Sequence, residues 1–467
     1  MLRSTSTVIH PWCLLLPACL ALACQDLEDT STTPEPEAST TEPEASTTEP
    51  ESGSTGDTTD EPTTGMTTGV GEDPFVEGEG VDIVFIVDNS HDSMATEKLV
   101  EDGPRDMMTT QVLLASGFKD MVAALDAAGT DYRVAITTTD MGGPRCPEVF
   151  NIAEAGRFQI TSCRERDGDF QTDNADYRSR CADACAHATI PIKPTAVGGQ
   201  DGLAPRPWLE KIGGATNVEI PIDEAAACIF LQGVAGCEWE GPLEASHAAL
   251  AGLTAPEFDP GHHNQYFLRP GAHLLIVVVS DAADCSYTDE GEESLFAEGG
   301  AYWNSGSPLP YSDVCWKAAA TCSGGPTVFD ECHAEDHGPD AMPTDDPAQA
   351  VLFPLSRYTQ LLAQLQQDKA DAGSSGRVFV AAVAGVPVGY VAGGEVPYAV
   401  DPDPTYQMFY GIGPSCEVDG SLARRGRPPV RIQEVVEGGH GLGEGLYSLC
   451  DPGLAGLPAA LVGLLQP

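Results

Sequence analysis

The sequence predicts an α/β fold, a doubly wound and mostly parallel sheet with helices on both faces. Three observations point to it. Four apolar runs, residues 82–87, 132–137, 273–279 and 378–384, are rich in Val, Ile and Ala without the alternation of a half-exposed strand. Such runs suit strands buried on both faces. The segments between them carry apolar residues at helical spacing: Val112, Phe118, Met121, Val122 and Leu125 before the second run, Tyr358, Leu361, Leu362 and Leu365 before the fourth. Strand and helix in alternation imply right-handed crossovers. Finally, the first and third runs both end in oxygen-rich turns, Asp88-Asn89-Ser90 and Ser280-Asp281. Open α/β sheets place ligand sites at the carboxyl ends of their strands.

Taken in order, the chain begins with Arg3 and an apolar stretch over residues 11–23, broken by Pro17. It is too short to span a bilayer and fits the core of a secretion signal, residues 1–23. The close of that stretch, Leu20-Ala21-Leu22-Ala23-Cys24, resembles the lipobox of bacterial lipoproteins, in which the Cys is lipid-modified. Ala21-Leu22-Ala23 also fits the cleavage site of an ordinary signal peptide. Residues 24–80 follow as an acidic linker that repeats EPEASTT. Between Gln25 and Pro74 it holds 14 acidic residues and neither Lys, Arg nor an aromatic. Such a segment cannot bury enough apolar surface to fold, and its charges keep it extended. A disordered tether lifting a domain off a membrane is the expectation.

The 15 cysteines agree with export. Cys13 and Cys19 leave with the signal, and a lipidated Cys24 leaves an even twelve in the folded part, the count of a disulfide framework. No CxxC pair occurs. Cys332, His333 and His337 form the nearest approach to a zinc cluster, and a stapled acidic loop is the simpler reading. Net charge is −48, which argues against a nucleic-acid partner and suits divalent cations.

Residues 81–467 read as one domain with large cysteine-bearing insertions at about 141–222, 286–350 and 386–430. The acidic run Asp167, Asp169, Asp173 and Asp176 in the first insertion lacks the Gly and Glu positions of an EF-hand and reads as a solvated loop. The Gly-rich run at 438–445 follows no apolar strand and reads as a loop. Residues 454–465 read as a terminal helix with Pro458 in its first turn. The chain lacks HExxH, GxSxG and GxxxxGK motifs, so a binding protein rather than an enzyme is expected.

The key motif is VDIVFIVDNSHDSM, residues 81–94. In the doubly wound order 3-2-1-4-5-6, strands 1 and 4 are neighbours. If the first and third apolar runs take those places, Asp88 and Asp281 face one crevice, where two carboxylates repel unless a cation or proton lies between them. In these residues the chain resembles the von Willebrand factor type A domain, and more closely a group of exported bacterial lipoproteins whose first motif reads DNSGSM. The runs DYRVAITTTD, CEWEGPLEASHAAL, VVVSDAADCS and SRYTQLLAQLQ resemble that group's other landmarks, as does YSLC near Cys450.

The resemblance implies a metal-ion-dependent adhesion site. Asp88 and Ser90 match its first two ligands and Asp281 its last. The third falls on Ser93 when aligned through Met94, or on Asp92 when counted forward from Asp88. An extra carboxylate favours Ca2+ over Mg2+, and Mn2+ is a further occupant. The family's Thr has no counterpart in residues 238–243, where Glu240 or water is the available oxygen donor. Asp284 is placed near the ligands, and a Cys416–Cys450 disulfide is implied in the tail. The implied function is an envelope lipoprotein held at the bacterial outer membrane, binding an acidic residue of a protein partner through the open metal position. The competing expectation is a structural lipoprotein with a metal-free site.

Overall fold

Helices and strands alternate around a seven-stranded mixed sheet. The structure, a computed structural model, describes residues 80–90, 107–143, 145–146, 153–172, 176–196, 202–251, 263–304, 310–418 and 424–465. The strands of the sheet are β1 (Val81–Val87), β2 (Tyr132–Thr138), β3 (Leu209–Ile212), β4 (Ala215–Thr216), β5 (His273–Val279), β8 (Val378–Ala384) and β12 (Gly441–Ser448), in the order β12-β8-β5-β1-β2-β3-β4. The five from β12 to β2 are parallel; β3 and β4 run antiparallel at one edge. Their pairing follows the anticipated strand order, with β1 and β5 side by side.

Strand β1 is buried along its whole length. Its alternate residues divide between two cores, as a period of two requires. Val81, Ile83, Phe85 and Val87 join one core, with Val277, Val279 and Val383 from the neighbouring strands. Val84 and Ile86 join the other, with Ile276, Val278 and Val380. The first core is covered by α1 (Met107–Ser116), α2 (Phe118–Ala127), α4 (Ile222–Phe230) and α11 (Leu457–Leu464). The second is covered by α5 (Pro242–Ala251), α8 (Leu355–Asp371) and α10 (Val430–Glu437). A triangle of Phe85, Phe118 and Phe230, with ring centroids 5.1–5.4 Å apart, centres the first core.

The helical spacing between the first two strands resolves into two helices. They break at Gly117, where a Cβ would lie 2.2 Å from the Ala455 carbonyl oxygen. The close approach of the chain's end therefore demands glycine.

Two further differences from the sequence reading come from glycine-rich strands. Residues 141–222 do not lie wholly outside the sheet. They supply β3 and β4, joined by Gly213 and Gly214 with φ of +56° and +80°, the geometry of a tight hairpin. The run at 438–445 enters β12, which pairs with β8 at Gly441 and again from Leu446 to Ser448, with an irregularity between. Gly443 and Gly445 at positive φ carry that irregularity. With few side chains to pattern, this edge strand shows no apolar run.

The other cysteine-bearing segments build small additions. Strands β6 (Ala320–Gly324), β7 (Val328–Ala334) and β9 (Tyr398–Ala399) make a three-stranded sheet, and β10 (Cys416–Val418) with β11 (Arg424–Gly426) a hairpin. Six disulfides use all twelve cysteines among the described residues: 146–237, 163–181, 185–228, 285–315, 322–332 and 416–450. Cys332 is thus committed to sulfur rather than zinc. This many disulfides fits an oxidising, extracytoplasmic environment. Among the described residues no helix is long and apolar enough to cross a membrane.

Helices α7 (Asp313–Ala319) and α9 (Pro404–Tyr410) pack together beside the sheet. Asp313 is buried there, paired with Lys317 at 2.6 Å and with Asn304. Burial outweighs the lysine and pushes its carboxyl up to about 6. A carboxyl raised in the folded state contributes stability that is complete below its unfolded value near 4 and is lost as pH rises through 6. We expect stability to fall by up to about 3 kcal/mol from this group between pH 4 and 6. Asp313→Asn should remove that share of the slope, read from urea unfolding at each pH.

Candidate metal centre

The pairing of β1 with β5 runs in register, with Val81 opposite His273 and Val87 opposite Val279. The residues that follow the two strands therefore emerge at one level. The Asp88 N–H donates to the Val279 carbonyl at 2.9 Å, extending the ladder by one step. The Asp88 carboxylate is fully buried. It accepts the Ser90 N–H at 2.8 Å on one oxygen, and the Ser280 hydroxyl at 2.9 Å and the Asp281 N–H at 3.4 Å on the other. These donors come from both strand ends, so the turn is fixed by the carboxylate at its centre.

The third acid arrives from the loop before α5. Residues Gly236 to Gly241 are threaded over the strand ends by backbone bonds. The Gly236 N–H donates to the Asn89 carbonyl, the Gly241 N–H to the Thr139 carbonyl, and the Cys285 N–H to the Glu240 carbonyl. The buried Asp140, which follows β2, braces the loop by accepting the Gly142 and Cys237 N–H groups at 2.8 and 3.2 Å. A Cβ at Gly236 would stand 2.4 Å from Asn89 Oδ1, so a larger residue there would force the buried Asn89 side chain to shift. Among the described residues, the buried carboxamide of Asn89 has no hydrogen-bond partner.

This loop delivers Glu240, which is buried, to Asp88 and Asp281. One carboxylate oxygen from each of the three lies within 4.8 Å of the others. Burial, and then the charge of Asp88, push the Glu240 carboxyl well above the usual range, while Arg427 and the Ser90 hydroxyl oppose the shift.

Arg427 is the remaining member of the cluster. It follows β11 and is buried. Its Nη2 lies 2.7 Å from Asp281 Oδ1 and 3.9 Å from Glu240 Oε1. Its backbone N–H and its Nε both donate to the Asp281 carbonyl, at 2.9 and 3.1 Å. The guanidinium carbon stands 4.6 Å from the centre of the Tyr410 ring. Burial alone would weaken the charge of this guanidinium; Asp281 and Glu240 more than restore it.

Of the residues singled out in sequence, Asp88, Ser90 and Asp281 are brought together, and Glu240, the oxygen donor available in residues 238–243, joins them. Asp92, Ser93 and Cys24 lie outside the described residues. Asp284 does not join the cluster. It forms a fully buried pair with Arg431 at 3.0 Å and accepts bonds from Leu243 N–H and the Ser286 hydroxyl, tying β5 to the start of α5. Cys416 and Cys450 are bonded, with Cα atoms 6.0 Å apart. Arg427 went unnoticed. Its signal was the basic run Arg424, Arg425, Arg427 and Arg431 in a chain with only 23 Lys and Arg.

The donor set is entirely oxygen, the chemistry of hard divalent cations. Three carboxylates against one guanidinium leave two negative charges when all are ionised, the charge a divalent ion supplies. Without an ion, a proton on Glu240 lowers the repulsion. No family model matches the chain, and no curated protein matches its sequence.

Replacing Glu240 by Gln keeps its shape and an acceptor for Ser90 while removing the ionisable carboxyl. In chelator-treated buffer at neutral pH, Glu240→Gln should melt at or above the wild-type temperature. A clear drop in melting temperature would show that Glu240 is held ionised.

Proposed function

We propose that this protein is an exported envelope lipoprotein displaying a von Willebrand factor type A-like module. The module binds a protein partner through a divalent cation held by Asp88, Ser90, Glu240 and Asp281, with Mg2+, Ca2+ or Mn2+ as occupant. The observation that carries this reading is the convergence of three carboxylates above the adjacent ends of β1 and β5. A cation at such a crevice with one open coordination position takes an acidic side chain of a partner. Nothing in the motif content supplies a nucleophile–base pair, so the module is read as a binder rather than an enzyme. The signal-like residues 1–23, Cys24 and the acidic linker support a lipid-anchored chain at the bacterial outer membrane.

A metal-free, structural lipoprotein is the second reading, and one observation favours it: Asp281 already has a cation partner in Arg427. The two separate by titration calorimetry of the folded protein with Mg2+, Mn2+ and Ca2+. The adhesive reading expects binding at or below millimolar cation, and its loss, roughly tenfold or more, in Asp88→Ala and Asp281→Ala, each of which removes an anionic ligand. Heat of binding equal in wild type and both variants would reject the site.

Anchoring is tested separately. Radiolabelled palmitate should enter the wild-type protein in a bacterial host and be absent from Cys24→Ser. Equal labelling of the two would exclude Cys24 as the lipid attachment point.

A further inference from the structure

We propose that Arg427 is the residue that sets the affinity of the cation site, an internal cation that a metal ion must displace from Asp281. This rests on the reading of Asp88, Glu240 and Asp281 as ligands. A divalent ion bound to all three takes oxygens at about 2.0–2.6 Å. The Arg427 Nη2 already stands 2.7 Å from Asp281 and 3.9 Å from Glu240. An ion shared by the three carboxylates and the guanidinium in its present place would be like charges at close range, without bulk water between them.

The surroundings let the head of Arg427 yield while its base stays fixed. The backbone N–H and Nε hold the carbonyl of Asp281, not its carboxylate. The chain at Arg427 is tightly packed, since a Cβ on Gly385 would lie 2.1 Å from the Arg427 carbonyl oxygen. The Ser415 hydroxyl donates to the Gly385 carbonyl, and the Ser415 N–H to that of Gly426. Tyr410 offers its ring face to the guanidinium at 4.6 Å, and Tyr406 lies on the same helix α9. Rotation about Cγ–Cδ or Cδ–Nε swings the planar guanidinium as a unit, so moving Nη2 off Asp281 also gives up the Nε bond, while the backbone N–H bond to the Asp281 carbonyl remains. The ion then takes the place of one positive charge with two, and the site passes from a proton- and arginine-balanced state to a metal-balanced one.

Before an ion arrives, Arg427 offsets one of the three carboxylate charges in the crevice.

The test is calorimetric titration of MnCl2 or CaCl2 into the folded wild-type chain and Arg427→Gln, alongside thermal melts in EDTA and in cation. We expect Arg427→Gln to bind at least about tenfold more tightly, because a competing positive charge is gone. We also expect it to melt lower than wild type in EDTA and to gain more from cation. Cation binding by Arg427→Gln where wild type shows none also supports the proposal. Equal or weaker binding by the variant, with wild type binding, overturns the role of Arg427 and leaves the cation site standing. No binding by either overturns both. Should Arg427→Gln not fold, Arg427→Met carries the test: it keeps an apolar stem without a charge and should likewise tighten binding, and unchanged or weakened affinity rejects the proposal.

Discussion

Strand β1 and strand β5 lie in register, and that single alignment forces an electrostatic problem that the surrounding structure solves. Hydrogen bonding along the ladder carries the chain to Asp88 on one side and to Ser280 and Asp281 on the other. Neither acid can retreat without breaking the pairing of a fully buried strand. The Asp88 carboxylate is hydrogen-bonded by directed donors, the Ser280 hydroxyl and two backbone N–H groups. Asp281 is paired with a guanidinium. The Glu240 carboxyl, buried beside the charge of Asp88, is pushed well above the usual carboxylate range. Three ways of accommodating a buried carboxylate thus stand side by side.

The chain spends its scarce cations inward. It has 23 Lys and Arg against 71 Asp and Glu. Yet Arg133, Arg206, Arg424, Arg427, Arg431 and Lys369 are all buried. Arg133 pairs with Glu210, Arg431 with Asp284, and Arg269 with the fully buried Asp82. Arginine suits such positions because it stays charged and presents a planar fork of donors. The exterior is left strongly negative, which favours solubility and repels anionic surfaces.

The sequence disclosed the parts of the fold where side chains carry the pattern. The four Val- and Ile-rich strands appear within a residue of their expected bounds, because a strand buried on both faces has nowhere to place a polar residue. The terminal helix was legible from Pro458 at its start. What stayed hidden was made of glycine or of distance. The hairpin of β3 and β4 turns on Gly213 and Gly214, and β12 is built around glycines that write no hydrophobic code. The separation of α1 from α2 depends on Ala455, more than three hundred residues along the chain. At the site, Asp88 and Asp281 were legible because each ends a recognisable strand. Glu240 was visible only as a substitute in a loop. Arg427 was not visible, since its role arises from a hairpin folding back across the sheet.

That hairpin has a consequence for the order in which the cluster closes. The segment bearing Arg427 follows β11, and its base is joined through Cys416 to Cys450, more than three hundred residues beyond Asp88. A chain synthesised from its amino end therefore carries Asp88, Glu240 and Asp281 long before the guanidinium that pairs with Asp281 exists.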